Sequence, residues 1–145
     1  YNKYKSLDYL HIATFITRLL VGCTPVSNSQ LLDCLCSHGT NLRIRFNRLG
    51  GLEDLEEALA ADRRAVELTP DDDPDMPWRF SNLAISLHSR FKQLGKLEDL
   101  EEALTADRRV VELTPDDDPD MPRRVSSLAI SLHSRFKRLG KLEDL

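Results

Sequence analysis

Cysteines and long apolar runs are scarce in this sequence. The three cysteines, Cys23, Cys34 and Cys36, form an odd set without a recognisable signal peptide. Such a set argues against a disulfide framework and favours reduced thiols in the cytoplasm. The most apolar stretch, residues 9–21, is interrupted by a histidine and an arginine, so we predict no membrane-spanning segment and no membrane partner.

Aromatic residues and strand signals are also rare. Aromatic residues make up 6% of the chain, whereas Leu, Ala, Glu and Arg are abundant. These four residue types favour helices, and runs of alternating polar and apolar residues are nearly absent. The composition therefore predicts an all-α protein.

Motifs that carry chemistry are missing as well. The sequence has no P-loop, HExxH, GxSxG or dinucleotide-binding motif. Ser, His and Asp occur, but not in a context typical of a catalytic triad. We therefore expect no enzyme activity, no catalytic residue and no cofactor in this chain.

The charge distribution argues against a nucleic-acid partner. Residues 1–48 carry a net charge of +4, whereas residues 49–93 carry −5 and residues 94–138 carry −2. Binding to a phosphate backbone requires clustered positive charge. The acidic part of the chain is not suited to that role.

The acidic part is an internal repeat. Residues 49–93 and 94–138 differ at seven positions, which gives a period of 45 residues. A partial copy covers residues 37–48, and a truncated copy covers 139–145. Periods of this size are typical of stacked helical units. We expect the chain to be a fragment of a longer array, with residues 1–36 as an N-terminal segment that we leave unassigned.

Each repeat contains two helical patterns. The first, helix A, is predicted over residues 77–93 from an apolar stripe at helical spacing, with Asp73 or Asp75 as its cap and Gly95 as its end. The second, helix B, is predicted over residues 97–113. One such pair cannot bury both apolar faces. The fold class predicted is therefore an α-solenoid of stacked antiparallel helix pairs.

These residues resemble a tetratricopeptide-type repeat. The segment LGKLEDLEEAL (residues 94–104) resembles the turn and second helix of that family. NLAISL (82–87) resembles the start of its first helix, and DDDPDMP resembles the loop of the kinesin-light-chain variety, although the histidine of that loop is absent. The period departs from the family's 34 residues. The similarity covers residues 39–145.

The repeat pattern also resembles that of long arrays in fungal proteins. The resemblance implies a non-catalytic scaffold that binds a protein or peptide in a concave groove lined by helix A. Such arrays often accompany a caspase-like CHAT domain or a nucleotide-binding domain. The alternative function implied is therefore a sensor or regulatory arm of a larger signalling enzyme. The oligomeric state stays open.

A second stripe on helix A is the candidate binding face. It lies opposite the apolar core stripe, and three of the seven differences between the repeats fall on it. A Trp beside polar residues is a typical interaction hot spot. The candidate partner-binding residues are Trp78, Asn82, Ile85 and Ser89 in one repeat, and Arg123, Ser127, Ile130 and Ser134 in the next.

Two patterns resemble metal sites only superficially. Asp71, Asp73 and Asp75 alternate as in a calcium loop, but Met76 and Asn82 stand where an EF-hand needs glycine and glutamate. The spacing of the cysteines and His38 matches no standard zinc module. We expect no bound metal.

Asp62 and Asp107 lie on the apolar arc of helix B, where a charge needs a partner. A catalytic Asp–His pair with His88 is conceivable there, but an identical copy in each repeat argues for a structural role. We predict instead two structural pairs, Asp62–Arg90 and Asp107–Arg135.

We interpret the two DDDPD segments, residues 71–75 and 116–120, as acidic connectors between helices, and calorimetric titration of the protein with calcium chloride tests this interpretation. We expect only heat of dilution, because each loop lacks the glycine that forms the turn of a calcium loop and the glutamate that supplies its last ligand. A saturable heat that disappears in the Asp73→Asn, Asp118→Asn double variant would show that the loops bind calcium.

Overall fold

A computed structural model describes residues 2–27 and 29–140 of the chain. Over this range the chain is all-α and has no β-strand, as the composition predicts. No helix in the same range combines the length and the apolar character needed to cross a membrane. The helices are α1 (Asn2–Cys23), α2 (Gln30–Leu49), α3 (Leu52–Leu68), α4 (Met76–Leu94), α5 (Leu97–Leu113) and α6 (Met121–Leu139).

The chain divides into two compact units. Unit 1 covers residues 1–69 and contains α1, α2 and α3; unit 2 covers residues 70–145 and contains α4, α5 and α6. Within each unit the middle helix packs against both of its neighbours. The segment left unassigned, residues 1–36, holds α1 and the first turns of α2. Residues 141–145 of the predicted truncated repeat lie outside the described residues.

The helix boundaries follow the sequence signals closely. Helix B was predicted over residues 97–113, and α5 has these bounds; helix A was predicted over 77–93, and α4 extends one residue further at each end. Gly95 ends α4 in the left-handed conformation at φ 65°, and its N–H donates to the carbonyl of Phe91 at 2.7 Å. Glycine adopts this conformation without steric cost.

The acidic connectors use their carboxylates to shape a turn. Asp73 Oδ1 accepts the backbone N–H of Asp75 at 2.8 Å, and Asp118 does the same for Asp120 at 2.7 Å. Asp75 occupies the N-cap position of α4 but makes no side-chain cap hydrogen bond. The predicted capping of α4 by an aspartate side chain is therefore wrong. The carboxylate of Asp73 accepts the N–H of Asp75, which precedes the helix, and not an N–H of the first helical turn.

Leucine and alanine form most of the core. In unit 2 the predicted stripes of α4 and α5 meet, and their central leucines, among them Leu87 and Leu100, are fully buried. In unit 1, Cys36 belongs to a buried cluster that contains Leu31, Leu35, Ala61 and Ala65. Burial of a leucine side chain stabilises a fold by about 1.5–3 kcal/mol.

A buried arginine–aspartate pair joins the two helices of each hairpin. In unit 2, Arg90 Nε and Nη2 lie 3.0 and 2.5 Å from the two carboxylate oxygens of Asp99. In unit 1, Arg45 makes the same two-pronged contact with Asp54. Asp99 is 2% exposed. Both aspartates lie in the first turn of a helix, where the helix dipole also favours a negative charge.

Polar contacts attach α1 to the other two helices of unit 1. The Thr17 hydroxyl lies 2.8 Å from Nδ1 of His38, and Nε2 of that ring lies 2.8 Å from Glu57 Oε1. A carboxylate only accepts hydrogen bonds, so Nε2 carries the proton. Arg18 also binds Glu57 through two nitrogens.

The pKa of Glu57 is lowered by the hydrogen bond from Arg18, against the opposing effect of burial and with the support of His38. The contribution of this carboxylate to stability is therefore complete above the ordinary glutamate pKa of about 4.3. It is lost as the pH falls through the lowered value.

Replacement of Asp99 tests the importance of the buried pair. Asp99→Asn keeps the shape of the side chain but removes the negative charge that faces Arg90. We expect the free energy of unfolding to fall by about 3 kcal/mol. Glu112→Gln is the matched control, because Glu112 pairs with Arg109 at an exposed site and should cost below about 1 kcal/mol. Denaturant unfolding followed by circular dichroism measures both. Equal losses would contradict a structural role for the buried pair.

Candidate functional site: a groove between α4 and α6

An open groove of about 330 Å³ runs between α4 and α6 in unit 2. Its most exposed apolar side chains are Ile85 on α4 and Ile130 on α6, at 51% and 65% exposure. Neither isoleucine is needed for the core. The groove therefore presents apolar surface that the unit itself does not cover.

The predicted binding stripe maps largely onto this groove. Five of its eight residues line the groove: Ile85, Ser89, Ser127, Ile130 and Ser134. Arg123 lines a smaller cavity beside it. Trp78 is half exposed two turns before Ile85, and the guanidinium of Arg79 lies 4.9 Å from the centre of its ring. Asn82 is buried at 6% exposure, so it lies beneath the surface of α4.

The serines of the groove present oxygen lone pairs rather than free protons. Ser89 donates its hydroxyl proton to the carbonyl of Ile85 at 2.9 Å, and Ser134 donates to that of Ile130 at 2.8 Å. Serine side chains in helices commonly bond back in this way. The exposed ammonium group of Lys92 adds a charged donor at the edge.

The smaller cavity, about 100 Å³, shares Ile85, His88 and Ser127 with the groove. It is also lined by Asp107 of α5, and by Arg123 and Arg124 of α6. His88 therefore lines both cavities.

His88, Asp107 and Ser131 form a cluster that joins the three helices of unit 2. Ser131 Oγ donates to Asp107 Oδ2 and lies 2.8 Å from His88 Nε2, and His88 Nε2 lies 3.2 Å from the same carboxylate oxygen. The serine proton is given to the aspartate, so Nε2–H of the histidine is the donor towards the serine oxygen. In a catalytic triad the serine donates to the histidine, which uses its other nitrogen for the aspartate. Ser131 is also fully buried. The cluster is therefore arranged as a structural link and not as an activated nucleophile.

The predicted pair Asp107–Arg135 is wrong. Arg135 Nε lies 2.6 Å from Glu101 Oε1, whereas Asp107 faces His88 and Ser131. Glu101 and Asp107 are nearly two turns apart on α5, and the register of α6 against α5 places Arg135 next to Glu101. The other predicted pair, Asp62–Arg90, would join residues of different units and stays a prediction.

Unit 1 contains a different partner for the equivalent aspartate. Arg43 stands 45 residues before His88, and its Nη1 lies 2.7 Å from Asp62 Oδ2 in the interior of unit 1. Gly39 provides the necessary space, since a Cβ atom there would lie 2.7 Å from Asp62 Oδ1. A buried carboxylate at this position of helix B is thus held by Arg in one unit and by His in the other.

Metal-ligating residues do not converge in the part of the chain that the structure describes, where no group of three or more His, Cys, Asp or Glu could hold an ion. Cys36 is packed in the apolar core of unit 1. His38 is engaged with Thr17 and Glu57.

Sequence reasoning named His88 only as a conceivable partner of an aspartate, and it did not place three contributors at the site. His88 and Lys92 line the groove, and Ser131 closes the cluster beneath it. His88 follows Ile85 by three residues and Lys92 follows it by seven, so a wider stripe on α4 would have included both. Nothing in the sequence distinguishes Ser131 from the other serines of α6.

Comparison of the chain with models of known protein families, with curated proteins and with solved structures finds no match. The case for a function therefore depends on the geometry of the site.

Replacement of Ser131 tests the structural role of the cluster. Ser131→Ala removes the hydroxyl that donates to Asp107 in the interior, so we expect a loss of about 1–3 kcal/mol in the free energy of unfolding. Ser134→Ala, on the same helix, removes only a hydrogen bond to its own backbone and should change stability by about 0.5 kcal/mol or less. A Ser131→Ala variant as stable as wild type would show that the cluster does not hold the helices together.

Proposed function

We propose that the chain is a non-catalytic protein–protein interaction module that binds a peptide or helix of a partner protein in the groove between α4 and α6. The observation that carries the proposal is the pair of half-exposed isoleucines, Ile85 and Ile130, that face the groove from its two helices. Peptide and helix partners typically insert apolar anchors into such grooves.

The charge and the hydrogen-bonding groups of the residues that line the groove indicate what kind of partner segment fits there. Among the described residues, none that lines the groove is acidic, and Lys92 contributes a positive charge. The serine oxygens accept hydrogen bonds, because their protons are given to backbone carbonyls. A partner segment with two apolar anchors, a donor between them and a neutral or negative net charge satisfies these groups.

The 45-residue repeat supports the proposal that this groove is one part of a longer binding surface. Helix A of one repeat and helix A of the next form its walls in unit 2, and an α-solenoid of the tetratricopeptide type would repeat such a groove along its concave side. The three cysteines are free thiols, which suits a module that works in the cytoplasm.

Peptide display against the whole chain tests the proposal. We expect enrichment of peptides with apolar anchors, and we expect an enriched peptide to bind the Ile130→Asp variant at least about tenfold more weakly, since loss of a central hot-spot anchor typically costs about 2 kcal/mol or more. Fluorescence anisotropy of the labelled peptide measures the affinities.

Ile44→Asp is the matched control, because Ile44 is also an exposed isoleucine but lies on α2 of unit 1. It should leave the affinity unchanged. Enriched peptides that bind Ile130→Asp as tightly as wild type and lose affinity for Ile44→Asp would place binding elsewhere. Failure to enrich any peptide would also contradict the proposal.

A further inference from the structure

Helix α1 is oriented in an unexpected way: it buries hydroxyl groups and exposes large apolar side chains. Thr14 is fully buried, Thr17 contacts His38 and Val21 packs against the core cluster, so this side of α1 faces the rest of unit 1. The opposite side carries six large apolar side chains that are 46–71% exposed. They are Tyr9, Ile12, Phe15, Ile16, Leu19 and Leu20.

The exposed residues have the spacing of a helix–helix seam. Tyr9, Ile12, Ile16, Leu19 and Cys23 follow one another at intervals of three, four, three and four residues. This is the heptad spacing in which one helix packs its side chains between those of another. The remaining exposed residues, Phe15 and Leu20, flank the seam and widen it. The pattern therefore indicates another helix as the occupant of this face.

The size of the face fits a dimer contact. The exposed parts of the six side chains amount to roughly 650 Å² of surface, taking about 200 Å² for each fully exposed side chain. The largest apolar patch of a typical monomer is about 300–600 Å², whereas each partner in a stable complex buries about 800 Å². Two copies of this face that cover each other reach that range when their flanking residues are included.

A lipid surface fits the same face less well. Helices that lie on membranes carry Lys and Arg beside their apolar side. Between Tyr9 and Cys23 the one charged residue other than His11 is Arg18, and its guanidinium is bound to Glu57. Residues 1–69 contain eight Lys/Arg and eight Asp/Glu, so unit 1 has no excess of positive charge.

The helix is also held firmly enough to act as a docking surface. Arg18 and Thr17 connect it to α3 and α2 through Glu57 and His38. Beside Tyr9, a depression of about 240 Å³ between α1 and α2 is lined in part by Leu10, Ala13 and Ile44. A projecting aromatic side chain from a facing helix has a place to insert there.

We propose that the outer face of α1 is a homodimer interface, in which α1 of one copy packs along its heptad seam against α1 of a second copy. The contact is isologous, since the same residues serve on both sides. The seam from Tyr9 to Cys23 is centred on Ile16, so Ile16 meets its counterpart near the two-fold axis in either helix direction. This interface is separate from the groove of unit 2.

Sedimentation equilibrium of the whole chain tests the proposal. We expect wild type to have twice the monomer mass of 16.5 kDa. The Ile12→Lys, Ile16→Lys variant should be monomeric at the same concentration with unchanged helicity, because both side chains are about half exposed. The matched control is Ile85→Lys, Ile130→Lys, which changes two equally exposed isoleucines of unit 2 and should remain dimeric.

Cross-linking provides a second measurement that does not depend on how a lysine variant folds. Ile16→Cys in a Cys23→Ser background should give a covalent dimer with a short bismaleimide, whereas Ile130→Cys in the same background should not. A monomeric wild type, or a dimer that only the unit 2 control disrupts, would overturn the proposal. It would also be overturned by a monomer that co-sediments with phosphatidylserine vesicles through Ile12 and Ile16, since the face would then belong to a lipid surface.

Discussion

The buried pairing of an arginine with an aspartate is the interaction on which each helical hairpin depends. Arg45–Asp54 and Arg90–Asp99 occupy equivalent places 45 residues apart, and both are two-pronged. Each pair fixes the register of one helix against the next across a glycine turn. The register of α4 on α5 then determines that His88 reaches Asp107, and α6 joins the same carboxylate through Ser131. The walls of the groove are held in place by these contacts.

The division of apolar residue types between core and surface links the two proposals. Leucine and alanine fill the core, whereas all five isoleucines, Ile12, Ile16, Ile44, Ile85 and Ile130, are at least 41% exposed. Exposed β-branched side chains contribute little to folding, but they are stiff and lose little freedom on binding. Four of the five lie on α1 or in the α4/α6 groove, which is consistent with two separate contact surfaces, one for a second copy and one for a partner protein.

The helix boundaries could be predicted from local sequence signals. The contacts between helices could not, because they depend on the register of one helix against another. The bounds of α5 and the turn at Gly95 followed from helical periodicity and from the glycine, which act over a few residues. Asp107 was expected to pair with Arg135 but contacts Ser131. Ser131 and Arg135 lie one turn apart on α6, and only the register of α6 against α5 decides which of them faces Asp107. Helix α1 was left unassigned, since six of its large apolar residues face outwards and do not mark a core. Five residues of the predicted stripe line the groove, but the burial of Asn82 depends on packing that the pattern does not contain.

The groove as a binding site is the central claim, and isoleucine methyl spectroscopy tests it most directly. The protein has five isoleucines, and each surface discussed above carries at least one. On titration with a display-selected peptide, the account predicts shifts of the Ile85 and Ile130 methyl signals, while that of Ile44 stays in place. Shifts confined to Ile12, Ile16 or Ile44 would contradict it, because the peptide would then bind unit 1 and not the groove between α4 and α6.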